Sequence, residues 1–334
     1  MTATEAMRDE ESAVLSGWEK LISWSAWGLA AAVFLTVGWM AMAPEDPLGA
    51  VTIFARRSGV LMLIQSAGLA GITAALATVM TGRRLMDAGT FAACVGLAAV
   101  SFKGETAEYM LLQSGGGLVD SQQQLGRSFA GEAAAWFVVV LFCVVISAAV
   151  ARWCFSIAPA SATEVGDAHV SFPMSGFDAP VIGTILRGGH PLQPTAILEG
   201  LLHTLVAAGV TLVAYHGLST GLATREILHG QAGFMVVAAV WIGSFFAHRL
   251  FPTQTALWTI LAVGAAAILG YLWASLGAPV AGRPANIPVD PFLRALPIQF
   301  VAAGSAAAVL WFWYLHGAGP GELRAIAAGD EAAN

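Results

Sequence analysis

Long apolar runs separated by short polar turns dominate this chain. The runs at 27–43, 60–80, 133–151, 201–222, 232–250, 256–276 and 298–315 are nearly free of charge. A helix crossing a bilayer core needs roughly 20 predominantly apolar residues, and each run comes close to that. An eighth stretch, 88–102, is equally apolar but short. The pattern predicts an all-α, polytopic membrane protein of about eight transmembrane helices in two four-helix bundles. The predicted helices lie near 22–43, 59–81, 87–110, 132–152, 197–220, 231–250, 254–276 and 296–316.

Between the fourth and fifth helices lies a polar stretch, 158–195, containing Pro159, Pro173, Pro180, Pro191 and Pro194. Prolines at that density rule out one long helix. The stretch is read as a linker between an N-terminal unit, 1–157, and a C-terminal unit, 196–316, with a tail at 317–334. The two units share a rhythm. The second and third helices are joined by a tight turn at Gly82-Arg83-Arg84-Leu85, the sixth and seventh by one at Ala247-His248-Arg249-Leu250. A Gly- and Gln-rich loop, 114–131, follows the third helix, and a Pro-rich loop, 277–295, follows the seventh. This spacing suggests a parallel internal repeat of the kind that builds some transporters. An unrelated array of helices with short loops also produces some matched spacings. The fifteen lysines and arginines divide eight to seven between the two sides. Arg83, Arg84 and Arg249, in the tight turns, place both termini on the cytoplasmic side.

Composition agrees with a lipid environment. The chain is 57% hydrophobic and 11% charged, against about 25% charged in a soluble domain, so a soluble core could not absorb its apolar surface. The net charge of −6 resides largely in acidic tails. Neither tail is a polybasic patch for anionic lipid, and no basic surface for nucleic acid is present. The expected partners are the lipid bilayer and other membrane subunits. Cys94, Cys143 and Cys154 show no disulfide framework. The acidic N-terminal tail differs from the basic n-region of a signal peptide, which predicts an uncleaved first helix. An interior rich in Ala and Gly suggests a bacterial inner membrane.

The candidate chemistry is sparse. Lys103, Glu105, Glu108 and Tyr109 follow the short third run. That run is 15 residues, about 22 Å as a helix, short of a core roughly 30 Å thick. Continuation through Lys103, Glu105 and Glu108 would complete the span and set the two acids on one face. Ionisable groups at such depth commonly line a proton or substrate path. The other reading ends the helix at Phe102 and leaves the charges on a wetted end. Gln65, in the second helix, would join the path at the same level; Arg56 and Arg57 would supply counter-charge. Glu132 is read as opening the fourth helix on the same side, where it either meets this cluster or simply suits the helix dipole.

Histidines form the second signal. His203 and His216 fall on the fifth helix, His229 opens the sixth and His248 closes it. Two levels of imidazole would suit two b-type haems. The 13-residue gap on the fifth helix, however, sets His203 and His216 about 140° apart. No P-loop, GxSxG or HExxH occurs, so no catalytic activity or metal site is assigned. In size and layout the chain resembles the two-bundle membrane subunits of quinone-linked oxidoreductases, without a shared motif. The expected function is therefore a membrane subunit of a larger redox or proton-handling assembly. The alternatives are a small-solute or ion transporter built from two repeats, and a structural scaffold subunit without chemistry.

Overall fold

A computed structural model describes residues 17–46, 49–53, 57–81, 87–106, 110, 118–155, 194–220, 229–253, 255–276 and 289–315. The linker 158–193 and the tail 317–334 lie outside the described residues. Helix α1 runs Gly17–Val33, passes through a π-helical turn at Phe34–Gly38 and ends as Trp39–Met42. It is followed by α2 (Gly59–Thr81), α3 (Ala88–Ser101), α4 (Leu118–Phe155), α5 (Pro194–Thr220), α6 (His229–Leu250), α7 (Leu257–Leu276) and α8 (Pro297–Leu315). A short 3-10 turn, Pro291–Arg294, precedes α8. Among the described residues seven helices are long and apolar enough to cross a membrane; α3, with 14 residues, is the shorter one. The chain is a multi-pass, all-α membrane protein.

Helices consecutive in the chain run in opposite directions. The rings of Trp27 in α1, Phe91 in α3 and Trp313 in α8 meet at centroid distances of 4.8 to 5.6 Å. The starts of α1 and α3 and the end of α8 therefore share one face of the molecule, here the proximal face. The ends of α1, α3, α5 and α7 lie at the distal face.

Burial follows the local sequence. α3 is hydrophobic all round, and nearly every residue of it is buried. α8 is likewise buried along most of its length. A helix without a polar face belongs inside a protein or in lipid, and these two pack on each other at the centre. α1, α2 and α5 turn rows of large apolar residues outward, among them Leu61, Ile64, Ile72 and Leu76 of α2.

Contacts between helices follow a regular plan. α1 packs on α2 and α3, α2 on α3 and α4, and α3 on α4. In the second half α5 packs on α6 and α7, α6 on α8, and α7 on α8. Across the halves α3 packs on α8, α4 on α7, and α4 on α8.

Two sequence expectations are corrected. The third helix does not continue to 110. It stops at Ser101, and Phe102 and Lys103 close it with 3-10-type bonds to the Ala99 and Val100 carbonyls. The Glu105 N–H then donates to the Gly49 carbonyl at 3.2 Å, beside a buried segment containing Ala50, Val51 and Thr52. Non-helical backbone is tolerated at membrane depth when protein encloses it, so the short helix needs no extension. The fourth helix does not start at 132. It starts at Leu118, so most of the expected 114–131 loop is helix. Its Leu125 and Phe129 continue the apolar face of the span. At Gly126, α4 approaches α7 so closely that a Cβ would lie 2.8 Å from the Ser275 backbone nitrogen.

Candidate functional site

Among the described residues, the polar side chains singled out in the sequence lie in separate parts of the fold. Lys103 is exposed and reaches back to α1. Its Nζ donates to the Leu35 carbonyl at 3.2 Å, within the π-helical turn, and sits 4.8 Å from the centroid of the Trp39 ring. Its visible role is to cover that irregular turn. Glu105 is half-buried in the segment after α3, and Gln65 lies on the outward face of α2. Glu108, Tyr109 and Arg56 are outside the described residues. Glu105 lies beyond the end of α3, outside the helical extension in which the sequence places it.

The histidines divide between the two faces. His203 is buried near the proximal face, where Nδ1 meets the Phe251 carbonyl at 2.8 Å and Nε2 meets Thr259 Oγ1 at 3.0 Å. It thereby ties α5 to the end of α6 and the start of α7. The His248 ring is 6.4 Å from it, centroid to centroid. His216 is exposed at the other end of α5, with its ring 6.0 Å from Phe292. The side chain of His229 is outside the described residues. Both nitrogens of His203 are already committed, so axial haem ligation there does not fit.

The structure draws attention instead to Glu132. It occupies the middle of the long α4, fully buried, fourteen positions beyond the first residue of that helix. Trp136, one turn on, donates its indole N–H to Glu132 Oε1 at 3.0 Å. The Ile53 backbone hydrogen-bonds to the same carboxylate. Oε2 is enclosed with it, out of contact with solvent. The reason lies in helical phase. Gln122, Phe129, Glu132 and Trp136 recur at spacings of three, four and seven, so they share the inward face of α4, and all four are buried. A fourth helix that opened at 132 would make this acid an ordinary first-turn carboxylate. Continuing the same phase backward through Phe129 to Gln122 is the signal that could have found it.

A band of polar and aromatic side chains leads from Glu132 to the distal face. Tyr271 of α7 interacts electrostatically with both Glu132 and Tyr215 of α5. Its hydroxyl donates to the Ala295 carbonyl at 2.8 Å. Tyr215 is buried, its ring packed on Phe292 and Phe300 at 5.6 and 5.1 Å. Arg294, also buried, donates from Nη1 to the Ser219 carbonyl at 2.9 Å, holding the end of α5 to the turn before α8. Asp290 starts that turn by accepting from the Phe292 N–H at 2.9 Å, and its own N–H donates to Gln122 Oε1 of α4 at 3.0 Å. Burial raises the Asp290 carboxyl above its ordinary range, while the Phe292 N–H, His216 and Arg294 pull it back. Chemically, the arrangement is a buried acid held by Trp136, with two buried phenols beside it and Asp290 and Arg294 toward the distal face. An acid so placed can take up and release a proton.

Comparison of the chain with protein families, with curated proteins and with solved structures gives no match. The fold and the buried acid together define the class: a multi-pass α-helical membrane protein with an ionisable group enclosed between its helices.

Proposed function

We propose that this chain is a proton-handling membrane protein of a bacterial inner membrane, acting as a membrane subunit of a larger redox or proton-handling assembly. The complete burial of Glu132 between the helices, held by Trp136, carries this reading. Ionisable groups within spanning helices are costly and mark proton or ion paths. The test is infrared spectroscopy of the purified protein during a pH titration. The wild type should show carboxylic C=O absorption that responds to pH, and Glu132→Gln should remove one component of it. A titration unchanged by that substitution refutes the role and leaves a scaffold.

The second reading, a small-solute or ion transporter of two repeats, is favoured by the helix contact plan. Exchanging α1 with α5, α2 with α6, α3 with α7 and α4 with α8 carries every principal contact, save that of α2 with α3, onto another such contact. The pair α3–α8 becomes α7–α4, and α4–α8 becomes itself, as about a twofold axis passing between α4 and α8. Parallel repeats related by an axis along the membrane normal have their sites at the repeat interface, where α4 carries Glu132. Alkalinisation or acidification of proteoliposomes driven by an added ion or solute supports the transporter. Its absence across inorganic ions and small organic acids supports the subunit.

A further inference from the structure

Glu132 has a counterpart at the opposite face. Asp87, just before α3, is buried although its side chain caps no helix N–H. Thr90 lies three residues on, on the same side of α3, and its hydroxyl donates to Ser147 Oγ of α4 at 3.3 Å. One turn further, Cys94 and Cys143, four residues along on each helix, are close enough to interact electrostatically. This antiparallel register then sets Leu97 opposite Val140 and Ser101 opposite Trp136, and Trp136 bonds Glu132. All of these side chains are buried.

We infer that the seam between α3 and α4 is a transmembrane proton route running from Asp87 at the proximal face to Glu132 near the distal one. The inference rests on the proton-handling reading of Glu132 and adds its second terminus and its path. Hydroxyls and thiols both donate and accept hydrogen bonds, so the bonded Thr90–Ser147 pair can pass a proton, and the buried Cys94 and Cys143 thiols extend the polar line beyond it. From Cys143 to Trp136 is seven residues, about 10 Å along the helix, lined by Leu97 and Val140. Water alone can carry a proton across that interval, so the route conducts only when the apolar layer is wetted, as in hydrophobic gates. A proton bound at one acid is released at the other, and each acid returns to its starting state. Burial pushes the Asp87 carboxyl up to about 7, a value at which it can both take and give a proton near neutral pH.

The test uses the full chain in vesicles of phosphatidylethanolamine and phosphatidylglycerol. A potassium gradient with valinomycin supplies the driving force and the compensating charge, and a trapped pH dye reads proton entry. Wild type should conduct well above protein-free vesicles. Asp87→Asn should cut the rate at least tenfold, Asp87→Glu should retain it, and Val140→Ser should raise it severalfold. Wild-type vesicles no faster than empty ones, or Asp87→Asn as fast as wild type, overturn the route. So does equal loss in Asp87→Asn and Asp87→Glu, which marks a structural role. The pH-responsive carboxylic band of Glu132 should survive in Asp87→Asn, so failure of the route leaves the reading of Glu132 standing. Loss of that band from the wild type removes both.

Discussion

The close backbone approach of the two halves at Gly126 makes a sharp prediction. An alanine at Gly126 would place its Cβ 2.8 Å from the Ser275 nitrogen and 2.9 Å from the Tyr271 carbonyl oxygen. Both are backbone atoms in the last two turns of α7, so no side chain can rotate away. Overpacking of this kind costs about 1–3 kcal/mol. Alanine in a helix interior recovers at most about 1 kcal/mol relative to glycine. The net effect should be a loss of about 1 kcal/mol or more, together with a displacement of Tyr271, which faces Glu132. Gly68 provides the control. It lies on the outward face of α2 with nothing within 4 Å of an added Cβ. Gly68→Ala should therefore hold or gain stability by up to about 1 kcal/mol. Unfolding of the purified protein by increasing SDS in mixed micelles, followed by tryptophan fluorescence, measures both variants. If Gly126→Ala is as stable as wild type, or if the two variants shift in the same direction by the same amount, the α4–α7 packing described above is wrong.

Other substitutions separate structural from functional polar groups. His203→Ala removes both ring bonds that tie α5 to Phe251 and Thr259, and loss of buried partners costs about 1–3 kcal/mol each way it is left unmet. The same SDS titration should show a clear loss; no change would mean that these bonds do not hold the second bundle. Lys103→Met strips the Leu35 carbonyl and the Trp39 ring of their cation. It should lower stability by about 1 kcal/mol without altering the Glu132 infrared band. Glu105→Gln should leave that band unchanged as well, since Glu105 lies in the segment beyond α3; a lost band would return the proton path to the 103–108 region.

The membrane-spanning elements were legible in the sequence because their cause is local. In hydrocarbon every backbone group must be satisfied within its own helix, so each span has to declare itself as an unbroken apolar run. Six helices lie close to the predicted spans for that reason. The absence of soluble-enzyme motifs was equally plain. What the runs could not show was which helix lipid surrounds and which protein surrounds. α3 reads as too short for a bilayer. Only its enclosure by α1, α2, α4 and α8 lets it stop at Ser101 while the chain turns back against Gly49. That enclosure removed the reason for carrying Glu105 and Glu108 into the membrane. Likewise Glu132 looks like an ordinary first-turn acid until Leu118–Gly131 is seen as helix, since a Gly- and Gln-rich stretch carries little apolar pattern of its own. Its burial depends on Ile53, Trp136 and Tyr271, which come from three separate parts of the chain. His203 appeared as a free ligand because nothing in its neighbourhood reveals that Phe251 and Thr259 converge on it. Periodicity along one helix fixes which residues share a face; what that face meets is a long-range property, and tertiary packing alone decides it.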